Sequence, residues 1–553
     1  MPEFVFTGVE DLSPCEQRTL DAVCGGKGHA LNVMRPTQPE PRYRMRAEFV
    51  SWLICGKNQQ YRPSQTGVRL YGAWIDGRIN LRAWEIKWPI ELENCWITEE
   101  IDFRDANLLT VSLKGSRARG VDGDLVKIRG VLCLADGFRC DGLMRLSGSE
   151  IGGALNCSGS NFINGRANAI EIFRAVLNGD CFLSGRYDYL QQRLQAFYSI
   201  GGVYLTGTKL RGSLYCSNGN FRVPGPNGDA PERDALNLAG VEIGDKLDLK
   251  GVYWMIGRLD LSGSTIDKLC DDVDLARFAL RPPEAAPRLG LFQRLAVRLR
   301  NRFGRPDRTQ NNIVLDGCVY RRLAAPADFA HRKSILDHQI AAHLESDFRS
   351  QPWEQIAKVL REMGYLECAT KITVTKQTYL RRSGELGPFR FFHWLFGLFI
   401  GYGYRPIRAT VIIFLVWVFY WLLYQNAYNH GVIVDAKDLL KTDPGVLDCD
   451  PTASNPTIGC SSQRSDVSAF SAPMFAADFL FPFVDFRQGK DWAPAVIVPQ
   501  KVELGAKGRR KLSQFARSKY GEEIRRAIWS EIVIGWLATA LFAAVVARLI
   551  KKD

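Results

Sequence analysis

Residues able to do chemistry are few and widely spaced in this chain. Thiol or redox catalysis needs a C-x-x-C pair, a C-x-x-C-H group or a G-x-G-x-x-G loop after a strand. None occurs among the 14 cysteines and 50 glycines of the 553 residues, and the six histidines form no H-E-x-x-H pair. Cys24-Gly25-Gly26-Lys27-Gly28 lacks the spacing of a phosphate-binding loop. No catalytic residue, cofactor or metal site is therefore expected. Asp76, Asp248 and Asp260 read as outward carboxylates, and a glycoside-cleaving pair assembled from neighbouring coils is the enzyme alternative. Other candidates lie toward the C-terminus. Asp478 and Asp485 sit within the aromatic, apolar stretch 468–486 and could ring the axis of an oligomeric pore. Cys449 and Cys460 bound a Pro/Ser/Thr/Asn stretch and are candidates for a disulfide on an oxidising side of a membrane.

The element that dominates the chain is a short phrase repeated between Gly67 and Leu269. It reads L-S-G-S-E-I-G-G-A-L-N-C from Leu146, L-T-G-T-K-L-R-G-S-L-Y-C from Leu205 and L-A-G-V-E-I-G-D-K-L-D-L from Leu238, with a shortened copy from Leu261. Brief alternating pieces separated by turns fit very short strands stacked in parallel, not a helix. Stacking places Leu146, Ile151, Leu155 and Cys157 in one interior layer and Leu205, Leu210, Leu214 and Cys216 in an equivalent one. The glycines fall at corners needing positive φ or close approach. Val223 to Arg233 reads as a loop thrown out of one coil, and Tyr187 to Tyr198 as an excursion of helical character. The expected fold class is a β-solenoid (parallel β-helix) with a helical cap and adaptor, plus a C-terminal α-helical transmembrane module. Its divisions are 1–64 cap, 65–325 solenoid, 326–388 adaptor and 389–553 membrane module.

The flanks carry their own signals. Ser13, Pro14 and Glu16 form a capping box that starts a helix through Val23, and Arg46 to Cys55 reads as a second. Pro282 to Arg308 is basic and amphipathic, suited to anionic lipid or to an exposed helix on the solenoid flank. Asn312 to Tyr320 resembles a last coil. His338 to Arg382 is mainly helical, offering Leu344, Trp353, Ile356, Leu360, Tyr365 and Ala369 as a packed face.

Arg390 to Gly403 is aromatic and short, which suits an interfacial or re-entrant position. Gly401-Tyr402-Gly403 has the composition of an ion filter but precedes the first span, so Tyr402, Tyr404 and Arg405 read as interfacial residues. Ile407 to Tyr424 is a membrane helix, and Ile532 to Ala547, extended by Ala527 to Glu531, is a second candidate. Basic flanks outside both spans put both chain ends on the cytoplasmic side. The strongly basic stretch Lys507 to Arg526 conflicts with a wholly periplasmic loop, and 468–486 can dip into the membrane, lie on it or cross it. The charge of +13 gathers near apolar segments, which favours a lipid surface over nucleic acid as partner. The N-terminus lacks a signal-like segment, and the repeat cysteines read as buried thiols, both pointing to a reducing cytoplasm.

The repeat phrases, Gln351-Pro352-Trp353-Glu354-Gln355-Ile356-Ala357, Arg361-Glu362-Met363-Gly364, Gly401-Tyr402-Gly403-Tyr404-Arg405-Pro406 and Phe481-Pro482-Phe483-Val484-Asp485 are similar to those of a bacterial family. Its members couple a cytoplasmic pentapeptide-like β-helix to C-terminal membrane helices and are often labelled membrane-associated oxidoreductases. The resemblance covers nearly the whole chain and implies this architecture at a bacterial inner membrane. It supplies no catalytic residues, and the absent redox motifs give the oxidoreductase label no support. This sequence departs from the family in its longer insert near Lys501 to Arg526. The expected function is a membrane-anchored scaffold or sensor acting with a protein partner or as a homo-oligomer; the alternatives are an oligomeric ion channel gated through the solenoid and an enzyme with a surface site.

Overall fold

The computed structural model describes residues 9–56, 58–188, 192–225, 228–229, 232–252, 254–271, 312–324, 328–403, 406–436, 468–494 and 508–550. The chain divides into two compact units, Met1–Gly387 and Pro388–Asp553.

In the first unit, strands of mostly two to four residues build two sixteen-stranded, mostly parallel sheets. One ladder runs through Val68–Tyr71, Ile90–Glu93, Val111–Ser112, Leu132–Cys133, Leu155–Asn156 and Cys181–Phe182. In the other sheet Trp74, Trp96, Arg117, Arg139 and Asn161 lie in register. Each sheet holds two ladders that merge where a long strand serves both. Glu242–Asp248 receives Lys209–Leu210 and Leu214–Tyr215, and Asn161–Glu171 receives Arg139–Cys140 and Met144–Arg145.

The turns explain why such short strands suffice. Leu146-Ser147-Gly148-Ser149 and Leu205-Thr206-Gly207-Thr208 bury their leucines and hold glycine at φ 65° and 66°, where a side chain is strained. The hydroxyl that follows is buried; Ser149 Oγ has no hydrogen-bond partner, but at other corners the hydroxyl closes a carbonyl of the preceding rung. Thr208 Oγ1 donates to Ile172 O at 2.6 Å, and Ser116 Oγ donates to Leu92 O at 2.7 Å. Satisfying these inward carbonyls removes the desolvation cost that would otherwise oppose stacking. The same left-handed corner is made without glycine at Ala83, Asn94, Asp105 and Arg174.

The interior is continuous. Leu146, Ile151, Leu155, Cys157, Leu205, Leu210, Leu214 and Cys216 are all buried in one apolar cluster, as the repeat predicts. Phe138, Phe162, Phe197 and Phe221 stack through it with centroids 5.9, 5.8 and 5.4 Å apart. Each such contact adds about 0.5–1.5 kcal/mol beyond area burial. Burial pushes the Cys95, Cys140 and Cys181 thiols up to about 12, so they remain protonated packing groups.

Helices lie at both ends of this unit. Helix α1 (Pro14–Cys24) starts at the Ser13/Glu16 capping box, and α2 (Ala47–Cys55) follows. Their Leu20, Phe49 and Leu53 join the central cluster. Ile313–Val314 and Val319–Leu323 add the last parallel rungs. They precede α3 (Phe329–Asp337), α4 (Gln351–Glu362) and α5 (Leu366–Ser383). Leu344, Trp353, Ile356, Leu360 and Ala369 are buried, whereas Tyr365 is exposed at the turn into α5. Arg332 of α3 meets Asp271 at 2.5 Å with both side chains buried, and His331 Nε2 lies 3.6 Å from the same carboxylate.

Within 187–198 the described residues form extended arms and not a helix: Arg186–Asp188 pairs antiparallel with Arg193–Gln195, and Phe197 and Tyr198 begin a strand of the main sheet. Gln195 packs over Gly159 and Arg186 pairs with Asp136, contacts that hold the two arms extended against the sheet. The segment after Val223 forms a second small hairpin, Pro224–Gly225 with Gly228–Asp229. The basic stretch 282–308 lies outside the described residues.

The second unit is mainly helical. It comprises α6 (Arg390–Ile400), α7 (Pro406–Asn429), α8 (Ala472–Leu480) and α9 (Gly508–Ile550). Ile433–Asp435 pairs antiparallel with Trp492–Pro494. Among the described residues α7 is the one helix long and apolar enough to cross a membrane, and 11% of its apolar window is buried. The nine residues of α8 extend about 13 Å, too short to cross a hydrocarbon core of about 30 Å.

Candidate functional site

The most unusual polar arrangement lies where α7, α8 and α9 meet. Tyr424, Ala427, Phe475, Ala476, Ile524 and Ile528 form its apolar core. The α7 and α9 segments run antiparallel: Asn426 Nδ2 donates to Tyr520 OH at 3.1 Å, while the Tyr420 and Ser530 hydroxyls lie 2.7 Å apart. Gly535 lets α9 approach α8 closely, since a Cβ there would stand 2.4 Å from the Leu480 carbonyl oxygen. Between these contacts sits Glu531, fully buried in the side of α9. Tyr424 OH donates to Glu531 Oε2 at 2.5 Å, and Tyr424 packs edge-on against Phe475 with centroids 5.0 Å apart. Glu531 Oε1 is buried without a hydrogen-bond partner. A buried carboxyl answered by one neutral hydroxyl is an arrangement found where a group must change state or bind something.

The pattern of α9 carries the signal for this residue. Ile524, Ile528, Glu531 and Gly535 recur three or four residues apart and are all buried, so the acid occupies an apolar helical stripe. Reading 527–531 only as an extension of a membrane span passes over it.

Asp478 and Asp485 come together in one turn. Asp478 accepts the amides of Phe486 at 2.6 Å and Gly489 at 2.8 Å. Asp485 accepts the amide of Arg487 at 2.9 Å and pairs with Lys490. Both carboxylates thus shape the chain reversal after α8, with Phe483 and Val484 exposed at its tip. Tyr402 is buried, held at φ 58° with its ring 4.8 Å from His393 and against Gly397 of α6. It folds the turn onto α6. Tyr404, Arg405, Cys449 and Cys460 lie outside the described residues.

The first unit uses its surface carboxylates in ion pairs and turns. Asp76 accepts from Trp74 Nε1 at 2.6 Å and pairs with Arg44. Asp248 lies 3.3 Å from Lys246, and Asp260 accepts the Ser262 amide. Asp102 is almost wholly buried between Arg78 and Arg104, each 2.7 Å away, and Arg104 reaches on toward Asp122 at 3.6 Å. Burial acts to raise the Asp102 carboxyl, but its bonds from Arg104 outweigh burial and hold it below the usual carboxylate range. Among the described residues no group of three His, Cys, Asp or Glu side chains is placed to hold a metal ion, and no disulfide forms.

These features define a protein with a large, mostly parallel two-sheet domain and, among the described residues, one apolar helix of membrane length. No family model, curated protein or solved structure matches the chain.

Proposed function

We propose that the protein is a membrane-anchored scaffold whose repeat domain offers a regular face to a protein partner or to further copies of itself. In this reading the two sheets are walls of a closed β-solenoid over 65–325. Residues 1–64 cap its first coil, and 326–388 form an adaptor. Helix α7 and the 532–547 portion of α9 cross a bacterial inner membrane as a hairpin, leaving the solenoid and both ends cytoplasmic. The pentapeptide-like family resemblance and the basic residues around Arg405 and Lys551 support that orientation. The observation that carries the proposal is α7 itself, which holds an apolar window of membrane length largely uncovered by protein, in a chain whose remaining bulk is a repetitive sheet domain. An apolar helix left bare in this way is stable in lipid and unstable in water.

The test compares the full chain with one ending at Gly387. Carbonate-resistant membrane association of the full chain, lost on truncation, supports anchoring; a full chain released by carbonate sinks it. Conductance across a planar bilayer separates the scaffold from the channel. Silence from inserted protein fits a scaffold, whereas discrete selective currents from the full chain alone replace it with a pore. The turn bonds of Asp478 and the Lys490 pairing of Asp485 do not favour an acidic pore ring.

A further inference from the structure

We propose that Glu531 is a proton-binding site of the helical unit, with Tyr424 as its fixed hydrogen-bond donor. The inference stands on placement. The carboxyl is fully buried, receives one hydrogen bond, from Tyr424 at 2.5 Å, and leaves Oε1 enclosed and unanswered. An ionised carboxylate in such surroundings needs a cation or several donors. Among the described residues, the elements around it provide neither. Helix α7 presents the neutral hydroxyls of Tyr420 and Tyr424, and Tyr420 is bonded to Ser530. The titratable residue of α8 is Asp478, an acid already bonded to the amides of Phe486 and Gly489. On α9 itself Glu522, Glu523, Arg525 and Arg526 are exposed, and Arg526 pairs with Glu522. A proton taken from solvent onto Oε1 removes the charge, while Tyr424 keeps its own hydrogen and continues to donate to Oε2.

The site has a consequence for packing. Glu531 is flanked by Ile528 and Gly535, the residues through which α9 closes on the core and on the end of α8. With the proton bound, the three helices pack without an internal charge. With it released, the carboxylate must find water or a counter-ion, and the contact has to open. The packed form therefore holds one proton more than the opened form, so raising the pH loosens α7, α8 and α9, and lowering it closes them.

Infrared absorption of the full-length protein in lipid vesicles tests this directly, because a protonated carboxyl has its own carbonyl stretch. The expected result at neutral pH is a protonated-carboxyl band that disappears in Glu531→Gln and shifts in Tyr424→Phe, which removes the hydrogen bond to Oε2. Absence of the band at neutral pH, or a band that Glu531→Gln leaves in place, overturns the proposal. Should Glu531→Gln fail to insert, Tyr424→Phe decides alone: a shifted band supports the site and an unmoved band rejects it. Replacing potassium with sodium should leave the band unchanged. Its loss in sodium would make the ligand a metal cation and overturn the proton assignment.

Discussion

The two units surround their buried acids differently: Asp102 of the sheet unit lies between two guanidinium groups, whereas Glu531 of the helical unit meets one neutral hydroxyl. In the sheet unit one solution recurs: a corner hydroxyl such as Ser116 or Thr208 takes a carbonyl of the preceding rung, and Arg104 spans the acids of successive rungs. Among the described residues of the helical unit the most deeply buried acid, Glu531, has a hydrogen-bond partner 107 residues away and an oxygen left over. Repetition produces stability by multiplying a satisfied contact. A solitary, half-satisfied carboxyl contributes little stability, and that makes it the better place to seek a function.

The contrast is sharpest where the sheet unit has its own deeply buried ion pair. Arg332 and Asp271 are both buried, so removing Arg332 leaves the Asp271 carboxylate without its guanidinium, with only His331 Nε2 nearby at 3.6 Å. Arg332→Ala is expected to destabilise the sheet unit by about 3–5 kcal/mol, the largest effect of the set. Denaturant unfolding followed by a fluorescent probe attached in the first unit measures it, and a probe attached in the second unit should not move, because the first unit has helices of its own. A coincident change at both probes would mean that the units do not unfold separately.

Next in size is Asp102→Asn. Asp102 is buried, but Arg104 is about one-third exposed, so the expected loss at neutral pH is about 1.5 kcal/mol after allowing for screening. Because the folded carboxyl is held below its usual range, its stabilising contribution is complete above the unfolded value of about 4. It is lost as pH falls through the lower folded value. Thermal midpoints of wild type and Asp102→Asn should therefore converge in acid and separate toward neutrality. A gap that persists at the lowest pH would assign the effect to shape and not to charge.

Gly207→Ala probes the repeat itself. A Cβ there has room, its nearest neighbour being Arg174 Cγ at 3.5 Å, so only the φ of 66° opposes it. That backbone cost of about 1–2 kcal/mol is partly offset by a stiffer unfolded chain, leaving about 1 kcal/mol, readable as a shift in denaturation midpoint.

What was legible in the sequence follows the same division. Leu146, Ile151, Leu155 and Cys157 could be placed inward because every rung repeats the same backbone solution, and each copy reinforces the pattern. The corners at Ala83 and Arg174 were harder to read, since they adopt the glycine conformation without glycine. The hairpin over 186–195 escaped because its conformation depends on Gln195 and Arg186 meeting other rungs. Glu531 escaped for a related reason: Tyr424 is far away in the chain, and the apolar stripe of α9 is visible only when its helical phase is followed from Ile524 to Gly535.

The two acids singled out from the sequence offer the smallest effects and the finest discrimination. Asp478 closes two amides, so Asp478→Ala should loosen the turn after α8 and cost the helical unit about 1 kcal/mol. Asp485 is exposed, and its partner Lys490 is exposed with it, so Asp485→Asn should leave thermal stability unchanged. If the pair instead lined a conducting axis, the ranking would reverse in a different measurement: Asp485→Asn would alter cation selectivity in a planar bilayer without touching stability. A silent bilayer for the wild type and a normal melting curve for Asp485→Asn together make Asp485 a turn residue. They leave Glu531 as the acid of the helical unit whose burial requires a chemical explanation.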